Sequence, residues 1–193
     1  MADWRSRLAL LLAPIALLAG CAIGPKAPAV RSIDNIQQFA LAGRVAVKVE
    51  DKGYSARMRW QHQPEDDAIW LYSPVGSVLA ALTVNGNGAT LVTADREAYN
   101  SNNVQALTRE VLGWDLPLDG LRHWVLGRVD PAAPVIDVQR DQRARLKSLS
   151  QRDWIVDYQG YVDDGLLPAA LTLRYGELRL RLVIDRWQLA GFE

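Results

Sequence analysis

Residues 39–62 read FALAGRVAVKVEDKGYSARMRWQH. Phe39, Leu41, Val45, Val47 and Val49 fall on one side of a period-two pattern, with Arg44 and Lys48 on the other. Such alternation predicts a strand with one dry face and one wet face. Asp51-Lys52-Gly53 reads as a hairpin turn. Tyr54, Ala56, Met58 and Trp60 then alternate with Arg57, Arg59 and Gln61, which predicts a second strand. Two long antiparallel strands, apolar inside and basic outside, set the fold as mainly β.

The pattern extends downstream. Ala68–Tyr72, Val78–Val84 and Ala89–Thr93 read as further strands, with Asn85-Gly86-Asn87-Gly88 as a turn. Five strands with short connections make an antiparallel meander. Asn103 then caps a helical pattern through Val104, Leu107, Val111 and Leu112, ended by Gly113. Asp119 is expected to cap a second helix carrying Leu121, Trp124 and Val125, with Leu118 stapling its entry and Gly127 ending it. Strands resume at Val135–Arg140, Ala144–Ser150, Trp154–Tyr161, Ala170–Arg174 and Leu178–Ile184, with turns at Asp163-Asp164-Gly165 and Tyr175-Gly176-Glu177. Beyond Ile184 the phase moves to Trp187 and Leu189, which marks a bulge or a strand end. The prediction is an unclosed antiparallel half-barrel of 10–11 strands. A short-helix lid covers its concave face over a hydrophobic cavity, and the arginines lie on the convex face.

Upstream, Ser32 is placed to cap a short helix over 33–38, with Ile33 and Ile36 on one face. Residues 22–31 carry two prolines and a glycine and read as a tether. Arg5 and Arg7 precede an apolar run over Leu8–Leu18, too short to span a bilayer, as in a secretion signal. Leu18-Ala19-Gly20-Cys21 looks like the lipobox of bacterial lipoproteins. That likeness implies acylation of the Cys21 sulfur, removal of residues 1–20 and a third acyl chain on the new amine. Three chains would anchor the protein firmly, and Ala22 in place of Asp implies sorting to the outer membrane. The expected organisation is a signal peptide over 1–20, a lipidated tether over 21–31 and one domain over 32–193.

Cleavage would leave 173 residues, enough for one domain with a sizeable core. It would leave 20 basic and 21 acidic residues, a balance that gives no reason to expect nucleic acid. Six tryptophans would remain, rich for a chain of this size. Trp60, Trp70, Trp124 and Trp154, with Leu82, Leu173 and Leu180, are the candidate cavity residues. No catalytic, metal or cofactor site is expected. His62 and His123 lie on different elements without ligand spacing, no Gly-x-Ser-x-Gly elbow occurs, and Asp66-Asp67 and Asp163-Asp164 sit in turns. Arg44 and Arg59 read as a solvated strand face; an acidic carrier surface or lipid headgroups is the functional alternative.

Taken in order, several segments carry a family likeness: Gly43-Arg44-Val45-Ala46, Arg59-Trp60, Ser73-Pro74-Val75-Gly76, and Leu118-Asp119-Gly120-Leu121-Arg122-His123-Trp124-Val125-Leu126-Gly127. Tyr158-Gln159-Gly160-Tyr161, Leu167-Pro168 and Asp185-Arg186-Trp187 complete the set. Behind a lipobox, this chain resembles the LolB family of outer-membrane lipoproteins over nearly the whole processed length. The resemblance implies a monomeric receptor facing the periplasm of a Gram-negative bacterium. It would accept triacylated lipoprotein cargo from a LolA-like carrier and pass it to outer-membrane lipid without a cofactor. It also implies a membrane-delivery loop at Pro74, Val75 and Gly76; an ordinary type II-like turn, Ser-Pro-Val-Gly, is the bland alternative. The family's familiar residue at position 75 is Leu, so Val75 is a shorter departure. A scaffolding lipoprotein with a self-filled β core is the alternative.

Overall fold

The computed structural model describes residues 32–162 and 165–189. The expected signal peptide, Cys21, the tether over 21–31 and Asp163-Asp164 lie outside the described residues. The chain order is β1 (Phe39–Val49), β2 (Lys52–His62), β3 (Asp67–Tyr72), β4 (Val78–Asn85), β5 (Gly88–Thr93), β6 (Ala98–Ser101), α1 (Val104–Leu112), α2 (Leu118–Trp124), β7 (Val135–Arg140), β8 (Leu146–Gln151), β9 (Trp154–Tyr158), β10 (Ala170–Tyr175) and β11 (Leu178–Gln188). All eleven strands form one antiparallel sheet, ordered β6-β5-β4-β3-β2-β1-β11-β10-β9-β8-β7. The sheet is two meanders joined where the first strand pairs with the last. Its edges, β6 and β7, do not meet, so the half-barrel stays open.

The phase change after Ile184 is a bulge within β11. Gly43 pairs with Ile184 and Ala42 with Arg186, which leaves Asp185 as the extra residue. Two residues facing one bend a strand and increase its twist. A Cβ on Gly43 would overlap the carbonyl oxygen of Val183, so only glycine permits this approach. Asp185 turns outward and accepts from Arg44 at 2.8 Å.

Several boundaries differ from the sequence reading. The first hairpin turns at Glu50-Asp51, and Lys52 and Gly53 belong to β2. Glu50 itself takes the positive φ of this turn. β6 is an added strand: Ala98-Tyr99-Asn100-Ser101 has no strand-like pattern and is recruited by pairing with β5. Asp119 lies inside α2; Pro117 occupies the cap position and makes no side-chain cap. β8 starts at Leu146 because Asp141 Oδ1 accepts from the backbone of Arg143 and Arg145, closing a tight turn. β9 stops at Tyr158, after which Gly160 takes a positive φ. The helix expected over 33–38 is a single 3-10 turn at Ile33–Asn35, capped by Ser32.

The apolar strand faces and the helices share one core, whose buried members run from Ile36 to Ile184. Its contents differ between the two arms. Against β8 and β9, α2 supplies Trp124, fully buried like Val125 and Leu126 after it. The Trp124 indole donates to Gln151 Oε1 at 3.1 Å, and the Tyr158 hydroxyl donates to the Trp124 carbonyl at 3.0 Å. Burial pushes the Tyr158 phenol far above its ordinary pKa, so it stays a neutral donor.

α2 is also tied to the other arm. Asp67, expected as a solvated turn carboxylate, is only 1% exposed. Its Oδ1 accepts from the Trp60 indole at 2.7 Å and lies 2.9 Å from His62 Nδ1. Its Oδ2 accepts from Arg122 Nε of α2 at 2.8 Å. Three elements converge on one buried carboxylate, which keeps its charge compensated.

Three substitutions probe these joints. Asp67→Ala removes the acceptor of the buried Trp60 indole and the buried partner of the half-buried Arg122, and is expected to cost about 3–5 kcal/mol in urea unfolding; Arg44→Ala at the exposed Arg44–Asp185 pair should cost under about 1 kcal/mol. Gly43→Ala is expected to lose about 1–3 kcal/mol through overpacking at the β1–β11 joint. An unchanged urea midpoint would show that the bulge is not a required close approach.

Candidate functional site: an apolar cavity and an exposed loop

The arm not filled by α2 encloses a cavity of about 600 Å³ on the concave face. Its walls come from β1–β5 and β11, through residues such as Val45, Met58, Ile69, Leu82, Leu91 and Leu180. Its cover is the end of α1 (Val111, Leu112), the connection to α2 (Trp114, Leu116) and Leu121 of α2. α1 packs on β5 and β6, so it closes the cavity from the free edge of the first arm. Asn103 Oδ1 caps the helix at the Ala106 N–H, and Gly113 ends it in the left-handed region. Thr108, fully buried, accepts from the Leu116 N–H at 3.0 Å and holds the connection under the helix.

Among the described residues, none lining the cavity carries a formal charge; Tyr54 supplies a phenol and Ser55 a hydroxyl. Tyr54 is 58% exposed and Leu79 is 40% exposed, so both border open solvent. Leu79 is itself the extra residue of a second bulge, between the pairs Leu71–Ala80 and Tyr72–Val78. The volume lies within the roughly 300–1,000 Å³ usual for small-molecule pockets. An uncharged wall of this kind accommodates hydrocarbon and offers nothing to hold an ion or a phosphate.

Of the residues singled out in the sequence, Leu82 and Leu180 line this cavity. The other five lie elsewhere, each for a physical reason. Trp60 is turned to Asp67 by its indole N–H and packs edge-on to Phe39 at 5.0 Å. Trp70 alternates to the convex face, where the Arg59 guanidinium sits 6.0 Å from its ring. Trp124 plugs the opposite arm, and Trp154 stacks on Tyr175 at 5.3 Å. Leu173, fully buried, pairs across β9 and β11 with Val156 and Leu180. The cavity tryptophan is Trp114, which follows Gly113 in a connection without periodicity. Gly113 as a helix stop was legible; the direction in which the chain then returned was not.

After β3 the chain forms a tight loop. The Gly76 N–H donates to the Ser73 carbonyl at 2.9 Å, and the Ser77 N–H donates to Ser73 Oγ at 3.1 Å. The positive φ falls on Gly76, one residue past Val75, so the turn is not type II. Val75 at its tip is 90% exposed, the most exposed of the large apolar side chains among the described residues. A valine held this far from the core by a well-bonded turn contributes nothing to packing.

Comparison with known proteins follows the same lines. A family model described as Outer membrane lipoprotein LolB matches residues 37–187. Proteins called Outer-membrane lipoprotein LolB are similar to this chain. The one from Nitrosomonas europaea is 36% identical over 79% of this chain and 73% of its own length. The one from Azoarcus sp. is 35% identical, covering 90% and 91%; that from Nitrosococcus oceani is 34% identical, covering 95% and 98%. Among solved structures, a DUF1329 family protein from Desulfovibrio piger superposes with a TM-score of 0.54 at 7% identity, over 83% of this chain and 89% of its own. A putative outer membrane lipoprotein-sorting protein domain from Vibrio parahaemolyticus gives a TM-score of 0.51 at 8% identity, over 83% and 88%. At such identities the two structures share the fold alone. With the match running from the approach to β1 almost to the end of β11, this chain belongs to the outer membrane lipoprotein LolB family.

Proposed function

We propose that this protein takes the acyl chains of lipoprotein cargo into its concave cavity from a LolA-like periplasmic carrier and passes them to the outer membrane. As a family member it is an outer-membrane lipoprotein, with Cys21 as the proposed lipidation site. The observation that carries the reading is the uncharged cavity of about 600 Å³ left open in one arm of the half-barrel. A scaffold with a self-filled core has no use for such a void, because empty apolar space forfeits packing energy.

Transfer between two apolar cavities needs no nucleotide if the acceptor binds more tightly. A tenfold preference is about 1.4 kcal/mol, which roughly 55 Å² of additional apolar burial supplies. Val75 and its flanks Pro74 and Gly76 form the delivery loop. A single exposed valine inserts little area into a bilayer, so it serves as a contact point and not as an anchor.

The proposal is tested with the chain from residue 22 onward, which contains the whole sheet and core. A carrier loaded with triacylated lipoprotein should hand its cargo to this domain, and unacylated cargo should stay behind. Leu82→Asp, introducing a charge into the cavity wall, should weaken binding of a fluorescent apolar probe at least tenfold while circular dichroism stays native. Val75→Glu should leave acceptance intact and reduce release into phospholipid vesicles severalfold. If a folded domain took up neither probe nor acylated cargo, the scaffold role would replace this one.

A further inference from the structure

The convex face carries a second concavity, of about 350 Å³, backed against the same strands. Arg44, Arg57 and Arg181 stand around it, Ala46 and Val183 contribute apolar surface, and Pro74 of the Val75 loop forms part of its wall. The three arginines come from β1, β2 and β11. Arg44 lies directly opposite Arg57 across the β1–β2 ladder, and Arg181 lies opposite Ala46 across β1–β11. Like charges directly opposite one another destabilise a sheet. Only Arg44 is offset, by Asp185 in the bulge. Among the described residues Arg57 and Arg181 have no ion pair. Two of the three arginines around this concavity therefore carry charge with no carboxylate partner among the described residues.

We propose that this concavity receives the phosphate of a membrane phospholipid and so sets the angle at which the loop meets the bilayer. Arginine suits phosphate because its planar fork can donate two parallel hydrogen bonds. A phospholipid fits better than an acidic protein surface because the site joins charge to grease: the arginine rim shares Pro74 with a loop whose tip, Val75, is 90% exposed. One molecule with a phosphate beside hydrocarbon satisfies both parts, and a bilayer surface presents many. The concave cavity faces the other side of the sheet, so headgroup binding and cargo holding do not compete for space. The inference rests on the reading that the Val75 loop contacts lipid.

The test measures binding of the chain from residue 22 onward to vesicles of phosphatidylethanolamine and phosphatidylglycerol. Arg57→Gln/Arg181→Gln removes two exposed charges without touching the core, and an unchanged thermal midpoint verifies that. Vesicle binding should weaken about tenfold or more, the scale expected of two basic groups near an anionic surface. Arg140→Gln/Arg143→Gln removes equal charge at the far end of the sheet and should change binding less than twofold. Equal losses in the two double variants would reduce the effect to net charge and overturn the proposal. So would a loss confined to cargo acceptance from the carrier, which would assign the arginines to a protein partner. Val75→Glu separates the layers of the argument. If it weakens vesicle binding and the arginine variant does not, the headgroup site alone fails; if neither does, the loop reading fails with it.

Discussion

The pairing of the first strand with the last is the constraint on which the rest of the molecule depends. β1 and β11 run antiparallel along nearly their whole lengths, although more than a hundred residues separate them. Each already belongs to a meander of locally paired strands, so this one long-range contact fuses two sheets into one. It also dictates where the helices go. They fall between β6 and β7, the two free edges, and the chain must cross the concave face to pass from one to the other. A lid is the geometric result of that crossing. The bulge at Asp185 bends the joint near the start of β1, and Gly43 permits the approach.

The second feature is the unequal filling of the two arms. α2 places Trp124 against β8 and β9, with Val125 and Leu126 buried after it, and Gln151 and Tyr158 satisfy the indole and a carbonyl. α1 sits nearer the opposite edge and covers without plugging. Gly120 makes part of this possible, because a Cβ there would overlap the Trp124 ring. Asp67 then ties α2 to β2 and β3 through Arg122, so the roof is fastened to both arms. A cavity bounded by fixed strands and a pinned helix keeps its volume, which a purely hydrophobic contact would tend to collapse.

Charge is sorted by face. Among the described residues the cavity lining carries none, whereas Arg44, Lys48, Arg57, Arg59, Arg179 and Arg181 alternate to the convex side. Period-two geometry produces this separation without cost, since successive side chains point to opposite faces. The consequence is a thin wall with hydrocarbon chemistry on one side and anion chemistry on the other, and the Val75 loop at the boundary between them.

The sequence by itself determined the strands other than β6, the helix α1 and the family. Alternation over Phe39–Val49 and Tyr54–Trp60, the cap at Asn103 and the stop at Gly113 are local signals, and local backbone chemistry decides them. It also marked the irregularity after Ile184. Only the tertiary structure decided which apolar residues line space and which fill it. Leu82 and Trp60 both lie on inward strand positions, yet one faces the cavity and the other is drawn away by a hydrogen bond to Asp67. Trp70 sits in a strand apolar on both faces, where alternation cannot say which side is dry. β6 exists because β5 offers an edge, and Asp67 is buried because partners from β2 and α2 arrive together. These outcomes depend on contacts between elements far apart in the chain, and no window of local sequence contains them.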